Sequence, residues 1–184
     1  PPIQIHALPE TLTALRDHLF NGAIWPDFTR LPSAERPVLT LHPFQAGDRL
    51  ELAGRQIEVL SALHTVPAVG YAVLPAAAEP SSGAWVFTGD TAPEAALWDR
   101  LQTLPTTTLV VETAFRNDEH LVADISRHMH PASLGRQLQR QPLGLLQGEH
   151  DRVRPMRCMA QSGMRSKAVR ITSAMKGRSG GSAG

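Results

Sequence analysis

Trp85-Val-Phe-Thr-Gly-Asp-Thr91 is the stretch of this 184-residue chain that decides its fold. Its first residues are strand formers, a glycine turn follows, and the carboxylate of Asp90 comes directly after that turn. In α/β proteins, ligand sites are built at the carboxyl ends of buried strands. Two interpretations of Asp90 follow from this: it belongs to a site, or it caps the next helix.

A second stretch, His64-Thr-Val-Pro-Ala-Val-Gly-Tyr71, presents a histidine just ahead of another apolar strand. Imidazole nitrogens and carboxylate oxygens are both ligands of divalent transition metals. His64 and Asp90 are therefore candidate metal ligands. The alternative is that His64 is an ordinary loop residue.

The hydrophobic pattern changes its period at Asp90. Before it, short runs of β-formers separated by turn residues predict an antiparallel meander of strands at 38–41, 49–52, 55–60, 69–74 and 84–87. A buried strand at 3–7 and a helix that starts at Pro9 precede this meander. After it, the pattern predicts helices at 93–101, 117–127 and 131–141 and a buried strand at 107–112. This order predicts a layered α/β fold.

Further candidate site residues follow later elements. Glu112 closes the predicted strand 107–112, and His128 and His130 follow the next helix. A glutamate–histidine pair beside a metal site can pass a proton to a leaving alkoxide. The structural alternatives are that Glu112 pairs with Arg116 and that the two histidines cap the preceding helix.

Charge is distributed unevenly along the chain. Residues 1–150 contain 10 basic and 16 acidic residues, a net charge of −6, whereas residues 151–184 contain 8 basic residues and one acidic residue, a net charge of +7. The pattern predicts a basic, mostly disordered tail at 149–184; the alternative is a frameshift product that is not native coding sequence. The tail has no aromatic residues for base stacking, so nucleic acid is disfavoured as a partner.

Composition also bears on the compartment. No apolar run approaches the roughly 18 residues that a bilayer-spanning helix needs. The single Cys158 cannot form an internal disulfide, as is usual in a reducing compartment. We therefore predict a cytoplasmic protein with no membrane partner, as a monomer or a homodimer.

Four motifs together resemble a known family. His64-Thr-Val-Pro-Ala-Val-Gly-Tyr71, Phe87-Thr-Gly-Asp-Thr91, Val111-Glu-Thr-Ala-Phe115 and Ser126-Arg-His128 occur in the order seen in the metallo-β-lactamase fold. They most resemble its phosphodiesterase branch, which includes the class II 3′,5′-cyclic-nucleotide phosphodiesterases and the tRNA 3′ endonuclease RNase Z. The resemblance implies that residues 1–148 form an incomplete αβ/βα sandwich domain.

The resemblance also implies roles for the candidate residues. It implies a site for two divalent metal ions, with zinc as the expected metal, in which His64 is a ligand and Asp90 bridges both ions. Glu112 and His128 match the family's proton-transfer and phosphate-contacting pair. His130 is a weaker match, as a substrate-binding residue.

Two departures from the family pattern affect these roles. The family's first metal motif, His-x-His-x-Asp-His, is absent, and the chain is expected to start after it. The family's last histidine ligand belongs at 143–149, where this sequence has no histidine. Only His64 and Asp90 match metal ligands of the family.

The predicted function is metal-dependent hydrolysis of a 3′,5′-cyclic nucleotide or a similar small phosphodiester. The short interval between His64 and Asp90 leaves no room for the insertion of the RNA-processing type, and the acidic region 1–150 disfavours an RNA surface. The alternatives are a non-catalytic fragment that lacks the first metal motif, an RNase Z-like tRNA 3′ endonuclease, and an RNA-binding module that uses the basic tail.

Overall fold

The computed structural model describes residues 1–76, 78, 82–140, 154–157 and 167–172, the last two ranges as backbone. The strands are β1 Ile3–Ala7, β2 Pro32–Ser33, β3 Arg36–Pro37, β4 Leu39–Pro43, β5 Arg49–Leu52, β6 Arg55–Ser61, β7 Val69–Val73, β8 Ala84–Phe87, β9 Thr106–Thr113, β10 Arg154–Arg157 and β11 Lys167–Thr172. The α-helices are α1 Pro9–His18, α2 Ala95–Thr103, α3 His120–Ser126 and α4 Pro131–Arg140. None of these described helices combines the length and the apolar character that crossing a membrane requires.

Within the described residues, the main sheet has seven strands in the order β10-β11-β9-β8-β7-β6-β5. Strands β5 to β8 form an antiparallel meander, whereas β8 and β9 are parallel and are connected through α2. The predicted α/β class, with a meander followed by alternating helices and strands, is confirmed. Because β6, β8 and β9 all run in the same direction, their carboxyl ends lie at one edge of the sheet.

The prediction for the first strands was wrong in one respect. The strand predicted at 38–41 does not join the meander; β4 pairs in parallel with β1 in a separate two-stranded sheet. The connection between these two strands contains a helix, and a long crossover favours parallel pairing. The strand β1 was predicted to be buried, but its first residue, Ile3, is 64% exposed.

The core lies between α2 and one face of the main sheet. Leu97, Trp98 and Leu101 form the apolar stripe of α2 and are almost completely buried. The sheet contributes Leu60, Ala72, Val86, Leu109 and Val111 to the same cluster. Burying each large side chain stabilises the fold by about 1.5–3 kcal/mol. Because strand side chains alternate between faces, this burial sets the register of β8. It also sets the point at which the loop that carries Asp90 leaves the sheet.

A buried ion pair also connects the sheet to α2. Glu58, on β6, is 4% exposed, and its two carboxylate oxygens accept hydrogen bonds from Nε and Nη2 of Arg100, at 2.5 and 2.8 Å. Arg49 donates to the same carboxylate at 3.3 Å. The hydrogen bond from Arg100 lowers the pKa of Glu58 below its usual value, although burial acts in the opposite direction.

The helix after Asp90 starts later than predicted. Its first residue is Ala95, and its N-cap residue, Glu94, makes no capping hydrogen bond with its side chain. Asp90 lies well before this N-cap, so the interpretation of Asp90 as a helix cap is wrong. The hydroxyl of Thr91 is engaged elsewhere, where it accepts a hydrogen bond from the backbone N–H of Leu63.

The strands β10 and β11 lie within the basic segment 149–184, where the sequence pattern predicted disorder. Strand β11 pairs antiparallel with β9 and extends the main sheet, and β10 forms its edge. The rest of this segment lies outside the described residues, as does 143–149, where the resemblance places the last family ligand. Disorder in the rest of the segment stays a prediction.

Candidate metal centre

Three candidate residues come together because their strands end at the same edge of the sheet. His64 follows β6, Asp90 follows β8, and Glu112 lies near the end of β9. The fourth, His128, follows α3 and returns to this edge. The structure therefore brings together four of the five residues that the sequence predicted for the site.

His64, Asp90 and His128 converge most closely. One ring nitrogen from each histidine and one carboxylate oxygen of Asp90 all lie within 4.8 Å of one another. The two imidazole rings meet edge to face, with centroids 4.7 Å apart. Among the described residues this is the one group of three or more such side chains. Two imidazoles and a carboxylate form a donor set that suits zinc and related divalent metals.

Two glycines let the Asp90 turn lie tightly against β7. A Cβ at Gly70 would come within 2.8 Å of the carbonyl oxygen of Thr88. Gly89 has φ +66°, and a Cβ there would lie 2.7 Å from the carbonyl oxygen of Val69. The close approach of the two backbones requires glycine at both positions.

A buried hydroxyl joins the loops that carry His64 and Asp90. Thr91 is 1% exposed, and its Oγ1 accepts a hydrogen bond from the backbone N–H of Leu63 at 2.9 Å. The backbone N–H of Ala92 donates to the carbonyl oxygen of Leu63 at 2.8 Å. The residues just before His64 and just after Asp90 are thus held together.

Glu112 and His128 form a hydrogen-bonded pair behind the three ligand candidates. Oε2 of Glu112 lies 3.1 Å from Nδ1 of His128, and both side chains are 16% exposed. The ring of Phe115 packs against the same imidazole. An Nδ1–H that donates to Glu112 leaves Nε2 of His128 available to a metal or a substrate. Arg116, the alternative partner proposed for Glu112, pairs with Asp118 instead.

The end of α3 positions His128. The backbone N–H of His128 donates to the carbonyl oxygen of Ala123 at 2.9 Å. The backbone N–H of Arg127 donates to the carbonyl oxygen of Asp124 at 3.3 Å. Arg127 itself is left-handed, with φ 57°. These bonds form a Schellman motif. The backbone of His128 therefore ends the helix, while its imidazole ring lies in the group of ligand candidates.

His130 lies outside the group of ligand candidates. It is 6% exposed, and its Nδ1 is 3.1 Å from Oδ1 of Asn117. Its backbone N–H donates to Oγ of Ser133, at the start of α4. These contacts give His130 a structural position at the helix start, and its role in substrate binding stays a prediction.

Two residues of the site were missed by sequence reasoning. Thr91 holds the loops together, and Arg127 donates from its guanidinium Nη1 to the carbonyl oxygen of His64 at 3.0 Å. These bonds join positions 28 and 63 residues apart. No local pattern in the sequence signals such a contact.

Comparison with known proteins supports the fold. The crystal structure of the metallo-beta-lactamase fold protein YhfI from Bacillus subtilis superposes with a TM-score of 0.51 and 16% sequence identity, covering 73% of this chain and 46% of that one. No family model and no curated protein sequence matches the chain. The fold is therefore that of the metallo-β-lactamase proteins, and the chain spans less than half the length of YhfI.

Proposed function

We propose that this chain carries the site of a metal-dependent hydrolase that acts on small phosphodiesters, with 3′,5′-cyclic nucleotides as the favoured class. The observation that carries the proposal is the convergence of His64, Asp90 and His128, with Glu112 behind His128. Metal-ligand donors stand beside a hydrogen-bonded acid–base pair at one sheet edge. This combination suits metal-assisted hydrolysis of a phosphodiester.

Each residue has a separate task in this proposal. His64 and Asp90 would hold the metal, which we take to be zinc. When bound, the metal stabilises negative charge on the phosphoryl oxygens. Glu112 accepts a hydrogen bond from Nδ1 of His128 and so orients the imidazole. Nε2 of His128 then takes a proton from the attacking water and gives it to the leaving alkoxide oxygen, so the P–O bond that water forms replaces the one that breaks.

The surroundings of His64 favour a small substrate. An open cavity of about 580 Å³ lies beside it, and its lining includes apolar residues such as Leu8, Pro9 and Leu63 and polar residues such as Gln45 and Thr65. Small-molecule sites usually have volumes of about 300–1,000 Å³. A nucleoside or another organic group of similar size would fill this cavity while its phosphodiester reaches the histidines.

A second candidate function is metal binding without catalysis. Nε2 of His128 cannot be a metal ligand and a proton donor at the same time. If His128 ligates the metal, the described residues supply three ligands and the proton-transfer pair is lost. The position of His128 within the group of ligand candidates is the observation that favours this alternative.

The test combines zinc titration with hydrolysis of 3′,5′-cyclic AMP and bis(p-nitrophenyl) phosphate. Asp90→Asn removes a proposed ligand and should weaken zinc binding by more than about 100-fold, beyond the usual effect of residues that only support a ligand. Asp99→Asn, at an exposed position on α2, is the matched control and should bind zinc like the unmodified chain. Failure of the unmodified chain to bind zinc, or equal binding by Asp90→Asn, would contradict the proposal.

His128→Ala separates the two candidate functions. If His128 transfers a proton, hydrolysis should fall by about 10²–10⁴-fold with little change in zinc affinity. If His128 is a ligand, zinc affinity should fall as it does in Asp90→Asn. Zinc binding without hydrolysis of either substrate by the unmodified chain would favour the non-catalytic alternative. Cleavage of a precursor tRNA alone would favour the RNase Z-like activity.

A further inference from the structure

Arg127 has a backbone conformation that an arginine rarely adopts. Its φ and ψ are 57° and 48°, in the left-handed region. In that region the Cβ of an L-residue crowds the following carbonyl oxygen, so glycine is the usual residue at this position of a Schellman motif. Among the described non-glycine residues, only Ala53 and Arg127 have positive φ. The helix end by itself therefore favours glycine at position 127.

The side chain and the backbone of Arg127 both contact His64. Nη1 of Arg127 donates a hydrogen bond to the carbonyl oxygen of His64 at 3.0 Å. In return, Nδ1 of His64 lies 3.4 Å from the carbonyl oxygen of Arg127, which is a long hydrogen bond. The two residues thus hold each other through one contact in each direction.

These contacts determine which nitrogen His64 presents to the site. A carbonyl oxygen only accepts hydrogen bonds, so its proximity favours the tautomer that carries the proton on Nδ1. The lone pair is then on Nε2. Histidines that bind metals commonly donate their other ring N–H to a carbonyl or carboxylate, which orients the ring. Arg127 also precedes His128 directly, so one residue connects both histidines of the group.

We propose that Arg127 is a positioning residue for the metal centre. Its guanidinium holds the loop of His64 in place, and its carbonyl oxygen selects the tautomer that offers Nε2 to the metal. The inference rests on the proposed function, because it takes His64 as a ligand. It explains why an arginine stands where the helix end favours glycine.

Arg127→Gly separates this role from a merely structural one. Glycine relieves the left-handed backbone but removes the guanidinium, so the melting temperature of the metal-free protein should stay the same or rise by about 2–4 °C. Zinc affinity should nevertheless fall about tenfold, the lower end of the effect of residues that orient a ligand. A structural role alone would move both quantities in the same direction.

Two further variants control this comparison. Ala53→Gly relieves the other left-handed residue, in the turn between β5 and β6, and should leave zinc affinity unchanged. Arg127→Lys should restore part of the affinity, because an ammonium group can still donate to the carbonyl oxygen of His64. Zinc binding by Arg127→Gly equal to that of the unmodified chain would overturn the proposal.

The tautomer of His64 provides a readout that needs no metal. Nitrogen-15 NMR of the metal-free protein should show His64 protonated on Nδ1. Arg127→Gly keeps the carbonyl oxygen of residue 127 but removes the guanidinium that holds the loop of His64 against it, so this form should decline. If the unmodified chain does not bind zinc but the tautomer behaves as expected, the proposed function fails, and what stands is that Arg127 orients the ring of His64. A tautomer that is the same in both proteins would overturn the positioning role.

Discussion

Two clusters of polar side chains lie along β6, and they differ in how their charges are compensated. Glu58, within the strand, faces Arg100 and Arg49, so a buried negative charge meets positive partners. Beyond the end of the strand, His64 faces Asp90 and His128, and one possible ligand atom from each of these residues lies within 4.8 Å of the others. The first cluster satisfies its own charges, whereas the second gathers donors that a cation would satisfy.

This difference separates polar groups that neutralise one another within the fold from polar groups that could hold a metal ion. Removing a partner from the Glu58 cluster leaves a charge without its counter-charge, and this loss affects stability. Asp90 is exposed, and its replacement should affect metal binding much more than stability. Three predictions test the contrast, from the largest expected effect to the smallest.

Glu58→Gln should lower the free energy of unfolding by about 1–3 kcal/mol, because Arg100 loses its carboxylate partner. We expect less than for a fully buried pair, since the side chain of Arg100 is 36% exposed. Urea unfolding measures the change, and Glu51→Gln, at an exposed position on β5, is the matched control. Zinc affinity should not change. If Glu58→Gln lowers zinc affinity without lowering stability, the proposed difference between the two clusters is wrong.

The contribution of Glu58 should also depend on pH. The hydrogen bond from Arg100 depresses the pKa of Glu58 in the folded protein. Its stabilisation is therefore complete above the unfolded pKa of about 4.3 and is lost as the pH falls through the lower folded pKa. The stability difference between the unmodified chain and Glu58→Gln should be constant near neutral pH and shrink in acid. Urea unfolding at several pH values tests this, and a difference that grows on acidification would contradict it.

Thr91→Val examines the boundary between fold and site. It removes the acceptor for the backbone N–H of Leu63 and should lower the free energy of unfolding by about 1 kcal/mol. Zinc affinity should also decrease, because the loops that carry His64 and Asp90 lose this connection. Thr13→Val, at an exposed position on α1, is the control for the change in side chain. If stability falls while zinc affinity is unchanged, Thr91 supports the fold alone.

The sequence predicted the elements better than their partners. The run of strand formers at 84–87 predicted β8 correctly, and the β-branched run at 107–112 predicted most of β9. The pairing of β4 with β1 was missed because a hydrophobic period reports which face is buried but not which strand lies alongside. The predicted start of α2, at 93, is two residues too early. Pro93 and the carboxylate of Asp90 are typical of a helix start, and they led to this prediction.

For the candidate site too, the sequence predicted the residues better than their contacts. The order of the four motifs was sufficient to single out His64, Asp90, Glu112 and His128. His128 was predicted to pair with Glu112, and the structure has that contact and also places His128 among the ligand candidates. His130 follows the same helix, and the resemblance makes it a weaker match, as a substrate-binding residue. The start of α4 instead holds it in contact with Asn117.

The sequence by itself determined the strands that precede His64 and Asp90, since residue spacing and turn chemistry are local properties of the chain. Only the tertiary structure decided that these residues converge with His128 and that Arg127 holds His64. The parallel direction of β6, β8 and β9 brings their ends to one edge, and the helix end after α3 places two residues there. Such contacts join distant positions, and they form only when the whole sheet and its covering helices pack together.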